Sequence, residues 1–299
     1  MITKNAFSFR TLVAAAALGC STLMVPAPAL ALEAFKSPEA AAAAFVRAVA
    51  TSDDDALRTV LGADWQRFIP IETIDRDDVN AFLAARYESE KIIRDSDDRA
   101  HLAVGPNEWT LPIPIVKRGG AWRFDTKAGA EEIRTRRIGR DELAAMQAML
   151  AYYDAQKEYA LADRNGDGTL EYAQKLLSSP GKKDGLYWDA PAGEEESPLG
   201  PVFGSDKPGT DYHGYYYKIL KGQGKHAPDG AYDYRINGRM TAGFALVAWP
   251  VRYDDTGVMT FIVNQEGQIY EKNFGPGTDA AAHRMTLFNP DAGWRKVSP

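Results

Sequence analysis

The residues with the strongest claim to chemistry lie together, in Asp163-Arg164-Asn165-Gly166-Asp167-Gly168-Thr169-Leu170-Glu171. Side-chain oxygens at the first, third and fifth positions (Asp163, Asn165, Asp167), a glycine at the sixth, the Thr169 carbonyl at the seventh, an apolar residue at the eighth and Glu171 at the ninth follow the first part of a calcium loop. Alternate residues of a tight turn converge their oxygens, and Gly168 permits the left-handed backbone that the reversal needs. The twelfth position holds Gln174 in place of a bidentate Glu, which lowers the affinity for Ca2+. The competing reading is a metal-free, Asx-rich turn. If calcium binds, a chelator lowers the melting temperature and added calcium restores it; an unchanged melt assigns the loop to the turn.

Other candidates are thinner. His213 or His283, with Asp211, Asp229 or Asp279, would serve a hydrolase only within hydrogen-bond reach of each other in a concave site. Loop histidines in glycine-rich turns account for the same residues, and His101 falls in a strand pattern that suits a structural role. No spacing suggests a nucleophile paired with a base, so no catalytic residue is assigned. Tyr212, Tyr215, Tyr216 and Tyr217 suggest a carbohydrate or peptide groove, although alternation puts Tyr216 on the face opposite Tyr215 and Tyr217. Gly222-x-Gly224 does not run on into a helix, because Pro228-Asp229-Gly230 interrupts it, so a nucleotide site is not supported.

Residues 1–31 read as an export signal: Lys4 and Arg10, an apolar run from Leu12 to Val25, then small residues at Ala27, Ala29 and Ala31. A periplasmic or secreted protein is expected, with a lipid anchor at Cys20 as the weaker alternative, since Ala17-Leu18-Gly19-Cys20 is a poor lipobox. Cys20 is the only cysteine, so cleavage would leave no disulfide and no thiol. Loss of Lys4 and Arg10, with no acid among residues 1–31, takes the formal charge from −6 to −8. Such an acidic chain repels phosphate backbones, which excludes nucleic acid as an expected partner. No later run reaches the roughly twenty apolar residues of a membrane span.

The elements that must position these residues fall in two units, 32–138 and 139–299. In the first, Ser37-Pro38 opens a helix, Ser52 opens a second that Gly62 stops, and Asp75 caps a third through Val79, Phe82, Leu83 and Tyr87. Strands are expected at Lys91–Arg94, Arg99–Val104, Glu108–Lys117 and Ala121–Thr126. Pro112 and Pro114 make the third an edge or a bulged strand. Gly139, after the basic run Arg134, Arg136, Arg137 read as a solvated face, marks the boundary. A helix of about 30 Å follows over Asp141–Ala160, its stripe of Leu143, Met146, Leu150 and Tyr153 widened by Met149, Tyr152 and Tyr159. Beyond the Asp-rich loop the pattern predicts a short helix over Tyr172–Leu177. An irregular acidic segment comes next, with Glu194-Glu195-Glu196 as a solvated tip, then a strand over Tyr215–Leu220. The antiparallel meander from Tyr232 to Phe274 has turns at Asn237-Gly238, Asp254–Gly257 and Gln265-Glu266-Gly267. The fold class is α+β: helices on a curved antiparallel sheet, then a long helix packed on an antiparallel meander.

Helices followed by a sheet that ends in a glycine turn and a Trp-x-Phe strand resemble the nuclear transport factor two-like cone, a fold that often encloses a small-molecule pocket. A long helix, an Asp-Gly loop and a meander with an Ala-Trp-Pro element resemble the globular part of pilin-like subunits. Asp184-Gly185-Leu186-Tyr187-Trp188, His213-Gly214-Tyr215, the run Gly243 to Pro250 and the run Thr256 to Val263 resemble the bacterial exported proteins catalogued as domain of unknown function 2950. That resemblance implies no assigned activity. The expectation is therefore an exported, non-enzymatic binding or structural module with a small ligand or an envelope protein as partner. A periplasmic hydrolase and a pilin-like assembly subunit are the alternatives.

Overall fold

The computed structural model describes residues 32–68, 76–191, 193–200 and 212–299. Residues 1–31, read as an export signal, and Asp75 and Asp211, expected as a helix cap and a candidate acid, lie outside them.

Helix α1 (Pro38–Thr51) begins as its sequence dictates: the Ser37 hydroxyl accepts from the Ala40 N–H at 3.2 Å, and Pro38 takes the first helical position. Its end corrects one expectation. Ser52 closes α1 in the left-handed region (φ 51°), and Asp53 caps α2 (Asp54–Leu61) by accepting from Ala56 N at 2.9 Å. Gly62 stops α2 at φ 97°, a conformation that costs glycine no Cβ clash. Helix α3 (Arg76–Glu88) then leads into an antiparallel sheet of β1 (Glu90–Ser96), β2 (Arg99–Val104), β3 (Trp109–Thr110), β4 (Ile115–Arg118) and β5 (Ala121–Phe124). The order is β1-β2-β4-β5, and β3 also pairs with β2. Pro112 and Pro114, which have no N–H to give a ladder, split the expected single strand into β3 and β4. The alternation survives the break: Leu111, Ile113 and Ile115 are all buried.

Helix α4 (Thr126–Tyr159) is 34 residues, about 50 Å, and starts well before the expected Asp141. Asp125 caps it by accepting from Ala128 N at 3.1 Å. Its first turns lie so close to the first sheet that a Cβ on Gly129 would come within 2.9 Å of Ile113. Gly139 sits inside the continuous helix. Met149, Tyr152 and Tyr159 of the expected stripe are buried, joined by Ala145, Ala155 and Gln156; Met146, Leu150 and Tyr153 are partly buried against the same core, and only Leu143 of the expected stripe, 41% exposed, lies off it. Small alanines let the helix approach the second sheet closely, and Tyr152 donates to the Ala245 carbonyl at 3.2 Å.

No helix forms over Tyr172–Leu177. The fully buried Gln156 holds Ala173 as a strand neighbour would, accepting from its N–H and donating to its carbonyl, each at 2.8 Å. Tyr172 N–H goes to Met240 O at 2.8 Å. Helical bonding cannot compete once both Ala173 backbone groups have buried partners.

The second sheet gathers β6 (Tyr215–Leu220), β11 (Ala245–Pro250), β12 (Thr260–Asn264), β13 (Ile269–Lys272) and β14 (Arg295–Val297) in the order β14-β13-β12-β11-β6, all antiparallel. The meander is thus its centre, but the expected start at Tyr232 is not part of it. Instead β7 (Gly222–Gln223) pairs with β8 (Tyr232–Asp233), and β9 (Arg235–Ile236) pairs with β10 (Arg239–Met240). Asn237 and Gly238, at φ 52° and 82°, supply the two left-handed positions of a tight hairpin turn. Helix α5 (Thr278–Arg284) packs beside β11. Apolar side chains form two separate cores, one from Phe35 to Phe124 and the other from Ala145 to Phe288.

Candidate functional site

The Asp-rich loop spends its oxygens on its own backbone. Asp163 accepts from the N–H groups of Gly166 (2.9 Å), Asp167 (3.1 Å) and Gly168 (2.8 Å), and Asn165 Oδ1 accepts from Asp167 N at 3.2 Å. Asp167 accepts from Thr169 N at 3.0 Å and from Arg239 Nε at 2.8 Å; that guanidinium hydrogen bond holds its carboxyl below the usual carboxylate range. Glu171 is buried and accepts from Asn165 Nδ2 and from Met240 N. Gln174, at the twelfth position, donates to Gly238 O at 2.8 Å. The loop is therefore clamped to the β9–β10 hairpin. A cation bound by Asp167 would compete with Arg239 for the same carboxylate. Among the described residues, no three His, Cys, Asp or Glu side chains gather in an arrangement able to hold a metal.

Of the histidine pairs, the structure brings one together. His283 Nδ1 lies 3.1 Å from Asp279 Oδ1, and the same oxygen accepts from Trp249 Nε1 at 3.0 Å. Both His283 and Asp279 are more than half exposed, on the surface of α5, where water screens the pair. His213 packs edge-on against Tyr212 at 4.1 Å, and Asp229 occupies a left-handed turn position. No hydrogen bond or ion pair joins Asp229 to a histidine among the described residues. His101 is 2.8 Å from Asp95 across β1 and β2, a structural tie. Tyr215 is fully buried and donates to Met259 O at 2.9 Å, so it belongs to the core and lines no groove.

One charge expectation is corrected. Arg134 pairs with Asp254 (2.8 Å), Arg136 with Glu132 (2.8 Å) and the Thr110 carbonyl (2.7 Å), and Arg137 with Asp255, so the basic run joins the two halves of the chain. Glu194, Glu195 and Glu196 are exposed, as expected of a solvated tip, and Glu195 also pairs with Lys183 (2.9 Å) and with Arg164, whose guanidinium lies over the Tyr159 and Trp188 rings.

The feature most suited to binding was assigned to no site from the sequence. A cavity of about 420 Å³ lies between α1, α3 and the first sheet. Phe45 reaches it from α1, Val79, Phe82 and Ala85 from α3, and Trp109 and Leu111 from the strand side. Rings run in sequence along this region: Phe124 to Phe45 at 5.6 Å, Phe45 to Phe82 at 6.2 Å and Phe82 to Trp109 at 6.4 Å. Helix α3 has no fully buried residue: Phe82, Leu83 and Ala85 are partly buried against the first core, and Val79, Phe82 and Ala85 also border this space. A volume of this size is within the range of small-molecule sites, which are lined mainly by apolar and aromatic groups. The Val79, Phe82 and Ala85 spacing was the available signal, but it reads equally as an ordinary core stripe.

The chain is thus an α+β protein in which a sheet with an apolar cavity and a second, meander-centred sheet share one long helix. It belongs to the family described as "Protein of unknown function (DUF2950)", whose profile matches residues 32–297. Neither the curated proteins nor the solved structures hold a match to it.

Proposed function

We propose that the protein is an exported, non-enzymatic binding module of the cell envelope, and that it takes a small apolar molecule into the cavity beneath α3. The cavity carries this reading: four aromatic side chains, Phe45, Phe68, Phe82 and Trp109, line about 420 Å³ of space. Burial of a ligand there gains roughly 25 cal/mol for each Å² of apolar surface removed from water. Export rests on the signal-like pattern of residues 1–31. The second sheet and its clamped loop serve as the structural partner of the binding unit.

The test is uptake of an environment-sensitive apolar dye. The full chain should bind it with one-site saturation, and Ala85→Phe, which projects a ring into the cavity from α3, should abolish uptake without lowering the melting temperature. Equal uptake by the original and filled chains would sink the reading.

A further inference from the structure

We infer that the outer edge of β1 is a self-association surface, along which a second copy of this chain lays its own β1 antiparallel and so joins the two first sheets into one. In the order β1-β2-β4-β5 this strand stands at the end, and among the described residues no strand pairs with its far side. It is seven residues long, and an unpaired row of N–H and C=O groups is a template for another strand. Nothing in the proposed ligand bears on this edge, so the two readings stand separately.

Hydrogen-bond parity identifies the groups on offer. In an antiparallel ladder the N–H and C=O of one residue point to the same side, and the side alternates along the strand. Leu111 N–H donates to Leu102 O at 2.8 Å, so Leu102 faces β3, while His101 and Ala103 face β1 and meet Ile93 and Lys91 there. Gly105 N–H donates to Ser89 O at 2.9 Å, which gives the same parity. Glu90, Ile92 and Arg94 therefore turn their backbone groups outward. A two-fold pairing has to match outward residues with outward residues. Centred on Ile92, it sets Glu90 against the partner's Arg94, Ile92 against the partner's Ile92, and Arg94 against the partner's Glu90. A shift of two residues leaves either Glu90 or Arg94 without an outward partner. Charged edges ordinarily keep strands apart. Here the register that satisfies the backbone also places opposite charges directly across from each other, twice, with an apolar pair between them. Within one chain Glu90 lies 2.7 Å from Arg86, and Arg94 lies 3.1 Å from Glu39. Association extends these into a row of alternating sign: Arg86, Glu90, the partner's Arg94, the partner's Glu39. The β1–β2 register is continuous from Glu90 to Arg94, so the pairing needs no change in the strand itself.

Sedimentation of the full chain over a concentration series should show a monomer–dimer equilibrium. Glu90→Arg alone, or Arg94→Glu alone, sets like charges across from each other at both ends of the ladder, and each should weaken the dimer about tenfold or more. An equimolar mixture of the two variants should associate again, because each chain then offers the charge that the other lacks. Loosening of β1 by either change cannot produce that recovery. In residue-resolved deuterium exchange, the amides of Ile92 and Arg94 should slow as the concentration rises, while those of Lys91 and Ile93, already bonded to β2, should not. A chain that stays monomeric at every concentration, a dimer indifferent to both reversals, or a mixture of variants that fails to associate overturns the inference.

Discussion

Asp184 accepts from Lys175 Nζ at 2.7 Å, from Ser179 N at 2.7 Å and from the Ser179 hydroxyl at 3.0 Å. Burial pushes its carboxyl up, but these hydrogen bonds outweigh burial and hold it at about 2, below its ordinary 3.8. Protonation is therefore harder in the folded state. The stabilisation is fully present above pH 3.8 and is lost as the pH falls toward about 2. Asp184→Asn should be less stable than the original chain at neutral pH, with the difference shrinking across that window in urea melts; a difference that stays constant with pH would contradict the assignment. Individual residues were legible where chemistry is local. Ser37 caps, Pro38 starts and Asn237-Gly238 turns as their types require. Arg134 and Arg137 were misread as solvated because their partners are distant in sequence, and no spacing rule reports a contact such as Arg134 with Asp254.

Helix α4 gives the clearest case at the scale of elements. Its true start was hidden by Gly139 and the arginines, which look like a boundary because glycine weakens a helix and charge suggests solvent. The structure retains the glycine in an open position, where a Cβ would meet nothing within 4 Å. Gly139→Ala should therefore stabilise the fold by about 0.5–1 kcal/mol through helix propensity alone, measured by denaturant midpoint at unchanged slope. A loss of stability would mean that the helix is not continuous there. Gly129 has the opposite character: its Cβ would press on Ile113, so close packing explains that glycine. The large residues of the buried face, Met149, Tyr152 and Tyr159, were legible, but its small ones were not, because large residues outweigh alanines in any periodicity count. The structure buries Ala145, Ala148 and Ala155 beside them.

For the whole molecule, one helix serves two cores. Its first half lies on the sheet that bounds the cavity, and its second half lies on the meander. At the junction, Glu142 accepts from the N–H groups of Val258 (2.8 Å) and Met259 (2.9 Å), while Arg134 and Arg137 reach the Asp254–Asp255 turn. The α+β class and the central meander were readable because turn chemistry and alternation are local. The cone resemblance signalled a pocket, but its lining was not readable, since its walls come from helices and strands scattered from Phe45 to Pro112, and an empty volume leaves no mark on periodicity.

That α3 buries none of its residues has a consequence for the rate at which its amides meet solvent. Strand β11, buried along its whole length at the centre of the second sheet, opens only when the whole fold opens. Helix α3 has far less to lose by opening alone. In deuterium exchange its amides should be replaced faster than those of α1, whose Ala41, Phe45 and Val46 are buried, and well before those of β11. A ligand filling the space beneath α3 should slow that exchange while leaving β11 unchanged. Protection of α3 equal to that of α1 in the empty protein would show that its cover over the cavity is as fixed as the core.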